Sequence, residues 1–211
     1  DDSMLSVLPL FHCFGLVVCT HLPLCLNATS ILIPQFDAKR FDKLLTKYNP
    51  TLVCGVPTLF EALKTNKHME GVDLSYIKYI ISGGDTLSVQ KNEELNEFLR
   101  KHGCTKTVIQ GYGMTEVAGP TCFGSLGSDK LGSIGIPLPG NIVRIIDSNT
   151  GKEMKTGEVG EIIISSEALM LGYLGNEEET NNVVKEYKDG KKYIHTGDLG
   201  YMDEEDFVFF K

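Results

Sequence analysis

Positive charge is scarce in this sequence. The 20 lysines and arginines are outnumbered by 28 aspartates and glutamates, which gives a formal net charge of -8. A nucleic-acid-binding surface needs a basic patch or stripe, so this balance argues against DNA or RNA as a partner. An anionic small molecule is not excluded, because backbone N–H groups can hold a phosphate within an acidic protein.

Uninterrupted hydrophobic segments and targeting signals are also lacking. Residues 3–36 contain no Asp, Glu, Lys or Arg, which by itself suggests a membrane-spanning helix. Three prolines and several polar residues break this segment into shorter pieces, so a buried strand–helix–strand is expected instead. The N-terminal string DDSML has no basic segment or cleavage pattern of a signal peptide, and a cytoplasmic location is expected.

The six cysteines lack the spacing of a metal site. No pair has C-x-x-C spacing, and Cys13, Cys19 and Cys25 repeat every six residues, which spreads them around a helix. Most are flanked by apolar residues. The pattern predicts buried, reduced cysteines, as is usual in a cytosolic protein.

Strands and helices alternate in the first half of the chain. Short apolar strands are expected at MLSVLP, TSILIP, TLVCG, IKYIIS and TVIQ. Between them lie helical segments with local start signals: Asp37 as an N-cap, Pro57 in a first turn, and a helix from Ser88 to His102 closed by Gly103. This alternation predicts an α/β fold, a mostly parallel sheet with helices on both faces.

The pattern changes near residue 130. Glycines crowd the string LGSIGIPLPG, helical periodicity nearly disappears, and EEETNNVVKEY is the only convincing helix. Candidate strands are NIVRIID, EIIISS, KYIHT, LGYMD and FVFFK. A small β-rich, barrel-like subdomain is expected here. The predicted division is an α/β subdomain over 1–128 and a β-rich subdomain over 129–211.

Three glycine-rich or aromatic motifs each follow a predicted parallel strand. FHCFG follows MLSVLP, SGGDT follows IKYII, and QGYGMTE follows TVI. Ligands of open parallel sheets bind outside the carboxyl ends of the strands. We therefore expect the three motifs to lie on one rim of the sheet, although they are far apart in sequence.

The string QGYGMTE has the residues of a nucleotide site. Gly111 and Gly113 permit a sharp turn and a close backbone approach, and Tyr112 between them offers a flat ring to a base. Thr115 offers a hydroxyl to a phosphate oxygen, and Glu116 offers a hard oxygen ligand to Mg²⁺. An equally weighted interpretation is a tight strand–helix turn, with Thr115 as the N-cap and Glu116 in the first turn.

Five strings together resemble one family over essentially all 211 residues: PLFHCFG, SGGDTLS, QGYGMTE, GEVGEIIISSEALMLGYLG and YIHTGDLGYMDEEDFVFF. The chain resembles the adenylate-forming acyl-CoA synthetase superfamily, and is most similar to a long-chain fatty-acid–CoA ligase. The matching part is the central portion of that family's large N-terminal domain.

The resemblance implies a site for ATP. It implies that Tyr112 stacks on adenine, that Asp198 accepts hydrogen bonds from the ribose hydroxyls, and that Glu116 ligates Mg²⁺. The residues that it implies for the nucleotide are Gly83, Gly84, Asp85, Gln110, Gly111, Tyr112, Thr115 and Asp198, and the catalytic pair is Thr115 and Glu116. The residues alone also fit plainer interpretations: the Gly83–Asp85 segment and Asp198 are both typical of turns.

The resemblance also implies an acyl site and a reaction. His12, Gly111, Met114 and Val117 would line the acyl pocket, although a buried core histidine is the commoner interpretation of His12 alone. A carboxylate reacts with ATP to give acyl-AMP and pyrophosphate, and coenzyme A then displaces AMP to give acyl-CoA. The uncharged surroundings of FHCFG favour a fatty acid as the small-molecule substrate.

Other functions stay open at this stage. Aryl or amino acids are alternative substrates, although an amino acid would need a carboxylate for its ammonium group and none lies between Ser3 and Gln35. A non-catalytic nucleotide-binding module is the alternative of a different class.

Two parts of the family pattern do not occur in the chain: the phosphate loop rich in Ser, Thr and Gly with its lysine, and the C-terminal domain with its catalytic lysine. We expect part of an AMP-forming acid–thiol ligase that is inactive by itself and able to self-associate. Peripheral membrane contact of the parent stays open.

Overall fold

The computed structural model describes residues 2–124 and 130–211. The chain divides into two units, within Asp1–Gly111 and within Tyr112–Lys211. The boundary predicted between residues 128 and 129 lies outside the described residues and stays a prediction.

The first unit contains a parallel sheet. Its strands are β1 Ser3–Ser6, β2 Thr29–Leu32, β3 Leu52–Gly55, β4 Tyr79–Ser82 and β5 Val108–Met114, the last of which continues past Gly111. Their order is β2-β1-β3-β4-β5, and every neighbouring pair in this order is parallel. The five strands predicted from apolar segments are all present.

Helices connect these strands. They are a π-helix Phe14–His21, α1 Leu22–Cys25, a 3₁₀ turn Ala38–Arg40, α2 Phe41–Tyr48, α3 Pro57–Lys64, a 3₁₀ turn Lys67–Met69 and α4 Val89–Lys101. The predicted start signals are confirmed. Asp37 Oδ1 accepts from the Lys39 N–H at 3.0 Å, and the Ser88 hydroxyl accepts from the Lys91 N–H at 3.4 Å.

Each face of the parallel sheet has its own helices. One face presents Leu5, Val53, Ile80 and Val108, which share a core with the buried faces of α2, α3 and α4. Alternation along the strands sends Met4 and Cys54 to the other face. There the π-helix packs, and the carbonyl oxygen of Cys19 accepts hydrogen bonds from the hydroxyls of Ser6 and Ser30. The predicted α/β arrangement is therefore confirmed.

The apolar N-terminal segment folds as a strand–helix–strand, as expected. None of the helices in the described ranges is both long enough and apolar enough to cross a membrane. Four cysteines are buried, Cys13 is half-buried, and Cys25 is exposed, so the prediction of buried cysteines is wrong for Cys25.

The second unit is an antiparallel sheet. Its strands are β6 Gly119–Phe123, β7 Ser133–Pro137, β8 Asn141–Ile146, β9 Gly160–Ser166, β10 Val184–Glu186, β11 Lys192–Met202 and β12 Val208–Phe210. They follow the order β6-β7-β12-β11-β9-β8, with β10 paired to β11. Among the described strands, β8 pairs with β9 alone, so the sheet is open at β8. The β-rich subdomain is present, but its barrel-like form is not confirmed.

Several local predictions in the second unit need correction. KYIHT and LGYMD belong to the single strand β11, which bulges against β9 instead of ending. The helix expected over EEETNNVVKEY is α5 Glu177–Val183, and the chain then enters β10. Val184 is β-branched, as strand residues often are, which is consistent with this early end of the helix.

Candidate functional site

Residues from three predicted motifs, Phe14, Gly83 and Gly111, lie together at the carboxyl end of the parallel sheet. Gly83 follows β4, and its N–H donates to the Gly55 carbonyl at 3.2 Å. A Cβ atom on Gly83 would lie 3.1 Å from the Gly111 carbonyl oxygen and 3.3 Å from Cε1 of Phe14. Gly83 therefore lies where FHCFG, SGGDT and the start of QGYGMTE come together, as expected for segments that follow strands of one parallel sheet.

The turn after β4 has one residue with a special backbone conformation. Gly84 is exposed with φ +75°, a value that glycine adopts at little cost. Asp85 is exposed, and its Oδ1 accepts from the Thr86 N–H at 2.7 Å, a contact typical of a turn. Gln110 of β5 lies beside Ser82 of β4, whose buried hydroxyl has no hydrogen-bond partner among the described residues. Nucleotide roles for Gly83–Asp85 and Gln110 stay predictions.

His12 is exposed rather than buried in a core, so the core-histidine interpretation is wrong. Its Nδ1 accepts from the Phe14 N–H at 3.1 Å, which leaves Nε2 as the protonated nitrogen of the neutral ring. A cavity of about 800 Å³ is lined by Phe11, the residue directly before His12 in the sequence. Residues that line this cavity are mostly apolar and include Leu8, Leu10, Phe11, Leu32, Ile33 and Phe36.

In the second unit, the predicted base platform and ribose acceptor are hydrogen-bonded to each other. The Tyr112 hydroxyl donates to Asp198 Oδ2 at 2.6 Å. The Tyr112 ring also packs edge-on against Phe210, with 5.2 Å between the ring centroids. Burial, and then the neighbouring Asp198 carboxylate, raises the pKa of Tyr112, so its hydroxyl stays a donor at neutral pH.

The conformation of the QGYGMTE segment differs from the expected one. Gly111 and Gly113 lie within the extended strand β5 and do not form a turn. A Cβ atom on Gly113 would overlap the Gly119 carbonyl oxygen, so glycine is needed there for close backbone approach. The left-handed residues come later, at Ala118 with φ 59° and Gly119 with φ 123°.

Thr115 and Glu116 begin a 3₁₀ turn, Thr115–Val117, whose N-cap is Met114. The expected N-cap role of Thr115 is therefore wrong, while Glu116 does lie in the first turn. The Glu116 carboxylate accepts from the Tyr173 hydroxyl through Oε1 at 2.8 Å, and its carbonyl oxygen accepts from the Met170 N–H at 2.7 Å. This hydrogen bond from Tyr173 to Glu116 is the main cause of a raised pKa at Tyr173.

The described residues bear on the Mg²⁺ that the family resemblance implies. They contain no group of three or more His, Cys, Asp or Glu side chains arranged to hold a metal ion. A protein cage for the ion is therefore not formed by this part of the chain. Mg²⁺ that travels with a nucleotide needs only one or two carboxylates, because phosphates and waters supply the other ligands. The single carboxylate of Glu116 fits that arrangement.

The other predicted acyl-pocket residues of the second unit belong to its core. Val117 is 3% exposed and packs in the cluster that includes Ile134, Ile164 and Val208. Met114 is partly buried against the same cluster. Their role in lining an acyl pocket stays a prediction.

A bulge in β11 carries Asp198. The β11–β9 pairing places His195 opposite Ile163 and Leu199 opposite Glu161, so residues 196–198 lie against Ile162 alone. The Asp198 N–H donates to the Thr196 hydroxyl oxygen at 3.0 Å, and that hydroxyl donates to the Ile162 carbonyl at 2.7 Å. Asp198 itself is exposed.

Three residues around these sites escaped the sequence-based prediction: Glu161, Tyr173 and His195. Glu161 is 8% exposed and accepts from His195 Nδ1 at 3.1 Å and from the Gly197 N–H at 3.2 Å. The available signal was an acidic residue directly before three isoleucines, in EIII. A carboxylate in such a buried strand needs specific hydrogen-bond donors.

Comparison with known proteins identifies the family. The sequence pattern of the AMP-binding enzymes matches residues 1–174. The chain is 35% identical over 211 residues to "Probable 4-coumarate--CoA ligase 1" of Dictyostelium discoideum, covering 99% of this chain and 37% of that protein. It is 34% identical over 209 residues to a long-chain-fatty-acid–CoA ligase of Bacillus subtilis, covering 99% and 36%.

Solved structures agree with the sequence relatives. A long-chain-fatty-acid-CoA ligase from Archaeoglobus fulgidus superposes with a TM-score of 0.88 at 27% identity, covering 100% of this chain and 43% of that one. O-succinylbenzoate coenzyme A synthetase from Bacillus subtilis, in complex with ATP and magnesium ion, gives 0.79 at 27% identity, covering 99% and 41%. This chain spans less than half the length of each of these relatives. It belongs to the AMP-binding enzyme family, among the adenylate-forming ligases.

Proposed function

We propose that the full-length protein containing this chain is an AMP-forming acid–thiol ligase for apolar carboxylic acids, foremost long-chain fatty acids. The observation that carries the proposal is the Tyr112–Asp198 hydrogen bond of 2.6 Å. The two residues are 86 positions apart, yet they are the ones that the family resemblance implies for the adenine and the ribose of one nucleotide.

The nucleotide is held, in this proposal, by contacts with its base and its sugar. Tyr112 supplies one face of its ring to the adenine. Its T-shaped contact with Phe210 holds the ring in a fixed orientation. Asp198 is exposed, and its carboxylate oxygens accept hydrogen bonds from the two ribose hydroxyls. Such charge-assisted hydrogen bonds are stronger than neutral ones.

The reaction needs no protein nucleophile. The carboxylate of the acid attacks the α-phosphorus of ATP and expels pyrophosphate, and the thiol of coenzyme A then attacks the acyl carbon and expels AMP. Mg²⁺ would neutralise phosphate charge when bound. Glu116 would hold that ion through its carboxylate, and Thr115 would orient the α-phosphate through its hydroxyl. The contribution of the chain is therefore positioning and charge stabilisation.

An apolar substrate is proposed because the segment that contains the FHCFG motif has no charged side chains. Residues 3–36 carry no Asp, Glu, Lys or Arg. Phe11, directly before His12, is 94% exposed, and Leu16 is 51% exposed. An amino acid would bring an ammonium group that these residues leave without a partner, which is costly. The relatives named for 4-coumarate make an aryl acid the second candidate.

A substrate panel tests the proposal. Purified full-length protein is assayed for pyrophosphate release and thioester formation with medium- and long-chain fatty acids, 4-coumarate and an amino acid. Thioester formation with fatty acids supports the proposal. Activity with 4-coumarate alone would keep the ligase function and overturn the fatty-acid assignment. ATP binding without pyrophosphate release from any acid would favour a non-catalytic nucleotide-binding module.

A matched pair of variants links the activity to the site. Asp198→Asn removes the charge proposed to hold the ribose and should raise the KM for ATP. Asp206→Asn is the control, because Asp206 is exposed in a turn with φ 64°, a conformation that asparagine also adopts. Equal KM values for the two variants would contradict the ribose role.

A further inference from the structure

We propose that Glu161 is a positioning residue for Asp198. Its buried carboxylate fixes the β11 bulge that presents Asp198 to Tyr112. The inference rests on the ribose role proposed above for Asp198, and it adds a residue to which no role has been given.

The bulge needs an anchor because regular strand pairing stops there. Three residues of β11, 196–198, lie against Ile162 of β9 alone, so their backbone groups cannot all pair with that strand. Gly197 has φ +75°, a left-handed conformation outside regular strand geometry that glycine adopts at little cost. That N–H donates to Glu161 Oε1 at 3.2 Å.

The second carboxylate oxygen holds the strand just before the bulge. Glu161 Oε2 lies 3.1 Å from His195 Nδ1, and His195 Nε2 lies 3.1 Å from the Tyr187 hydroxyl. Because a carboxylate can only accept, the proton of a neutral His195 ring lies on Nδ1, and Nε2 then accepts from Tyr187. Burial, and then the charge of Glu161, raises the pKa of Tyr187, which keeps its hydroxyl a donor.

The two carboxylate oxygens of Glu161 therefore bind the residues on either side of Thr196, namely His195 and Gly197. Thr196 completes the arrangement, since its hydroxyl oxygen accepts the Asp198 N–H at 3.0 Å. The N–H groups of Gly197 and Asp198 are thus both fixed by side chains, and the Asp198 carboxylate is left to meet the Tyr112 hydroxyl. Without Glu161, the Gly197 N–H and the His195 ring each lose a charged acceptor.

Burial argues that this carboxylate has a specific purpose. Glu161 is 8% exposed and is followed by Ile162, Ile163 and Ile164, all 0% exposed. An apolar residue would suit such a strand better than a carboxylate, which must recover its lost hydration through hydrogen bonds. The hydrogen bonds that replace this hydration come from the Gly197 N–H, which belongs to the bulge, and from His195, which adjoins the bulge.

The test uses the full-length protein with Glu161→Ala, Glu161→Gln, Asp198→Ala and the double variant Glu161→Ala/Asp198→Ala. Kinetic constants for ATP come from pyrophosphate release, and hydrogen exchange is followed in the peptide that contains residues 195–200. We expect Asp198→Ala to raise the KM for ATP about tenfold and Glu161→Ala about fivefold, with kcat changed less, since a hydrogen-bonded charge contributes roughly these factors. The double variant should resemble Asp198→Ala, because coupled residues are not additive.

The KM for ATP of Glu161→Gln should stay within about twofold of the wild-type value. Its amide oxygen accepts from the Gly197 N–H, and its amide nitrogen donates to an unprotonated His195 Nδ1. Exchange at residues 195–200 should accelerate at least about tenfold in the Ala variant and stay slow in the Gln variant. If Glu161→Ala does not fold, Glu161→Leu replaces it, because an apolar side chain suits the isoleucine-rich strand.

The outcomes separate the two proposals. A raised KM for Asp198→Ala with an unchanged KM for Glu161→Ala, or additive effects in the double variant, would overturn the positioning role alone. An unchanged KM for Asp198→Ala would overturn the ribose role, and the exchange data would then decide the positioning role. Unaltered exchange at residues 195–200 in both the Ala and Leu variants would refute it.

Discussion

Tyr112 donates its phenolic hydrogen to Asp198 Oδ2 over 2.6 Å, across 86 positions of sequence. The pKa of Tyr112 is raised, first by burial and second by this carboxylate. Because the pKa of Tyr112 is higher in the folded than in the unfolded state, its protonated hydroxyl stabilises the folded protein fully at any pH below the ordinary tyrosine pKa of about 10. This stabilisation is lost only as the pH rises through the higher folded value. The hydrogen bond therefore persists throughout the neutral range.

The first prediction concerns this hydrogen bond. Tyr112→Phe keeps the ring and its edge contact with Phe210 and removes the donor to Asp198. We expect the KM for ATP of the full-length protein to rise about fivefold, since the Asp198 carboxylate loses its fixed orientation. Tyr201→Phe is the control, because the Tyr201 ring stacks on Phe209 and lies outside the pair. An equal rise in both variants would remove the pair from nucleotide binding.

The second prediction concerns the proposed metal ligand. Glu116→Gln keeps the shape of the side chain and the acceptor for Tyr173 but removes the charge. The adenylation rate of the full-length protein should fall roughly 10²-fold or more, about 2.7 kcal/mol of transition-state stabilisation. Glu204→Gln, at an exposed position between β11 and β12, should have little effect. A wild-type rate for Glu116→Gln at saturating Mg²⁺ would leave Glu116 as a residue of the 3₁₀ turn only.

A third prediction tests the partner of that carboxylate. Tyr173→Phe removes the hydroxyl that donates to Glu116 Oε1 at 2.8 Å. Since the Glu116 charge remains, the loss should appear as a requirement for about three- to tenfold more Mg²⁺ at half-maximal rate, with a smaller change at saturation. Titration of the adenylation rate with Mg²⁺ measures this. A variant with a lower rate at every Mg²⁺ concentration and an unchanged midpoint would contradict the positioning of Glu116 by Tyr173.

Features fixed by neighbouring residues could be predicted from the sequence. Asp37 and Ser88 cap their helices through contacts within three positions, so their signals were local. The alternation of apolar strands with helices likewise predicted the parallel sheet and the rim where Gly83, Gly111 and Phe14 meet.

Features fixed by distant backbone could not be predicted in the same way. Gly113 is needed because the Gly119 carbonyl lies where a Cβ atom would be. From the sequence, closely spaced glycines predicted a turn and not this contact. The β11 bulge depends on its register with β9, and Glu161 meets His195 across 34 positions. Neither pairing leaves a periodic signal, so KYIHT and LGYMD looked like separate strands.

The fourth prediction concerns the stability of the strand that leads to the site. Asn96 of α4 is 9% exposed; its Oδ1 accepts from the Val108 N–H at 2.8 Å, and its Nδ2 donates to Asn92 Oδ1 at 2.8 Å. Asn96→Leu would leave the buried Val108 N–H without its acceptor and should lower the free energy of unfolding by about 1–3 kcal/mol. Gln90→Leu on the exposed side of α4 should cost less than about 0.5 kcal/mol. Denaturant unfolding compares the two, and equal midpoints would show that the Val108 N–H finds another acceptor.

The last prediction concerns residues 1–211 expressed alone, which should not make acyl-CoA. Phosphoryl chemistry on ATP requires that the β- and γ-phosphates are held and neutralised. Glu116 is the carboxylate proposed for this task, and the described residues contain no group of three or more His, Cys, Asp or Glu side chains that could hold a metal ion. The family's phosphate loop rich in Ser, Thr and Gly is not found in the sequence. Binding of ATP should accordingly be weak, and pyrophosphate release should be absent.

The same polypeptide should also self-associate. Among the described strands, β2 has β1 as its one neighbour, so the outer edge of β2 offers unpaired N–H and C=O groups to another copy. Calorimetry with ATP and Mg²⁺, pyrophosphate release with a fatty acid, and light scattering over a concentration series test these expectations, with full-length protein as the positive control. A monomer that releases pyrophosphate at the rate of the full-length protein would show that residues 1–211 already contain the complete machinery for adenylation.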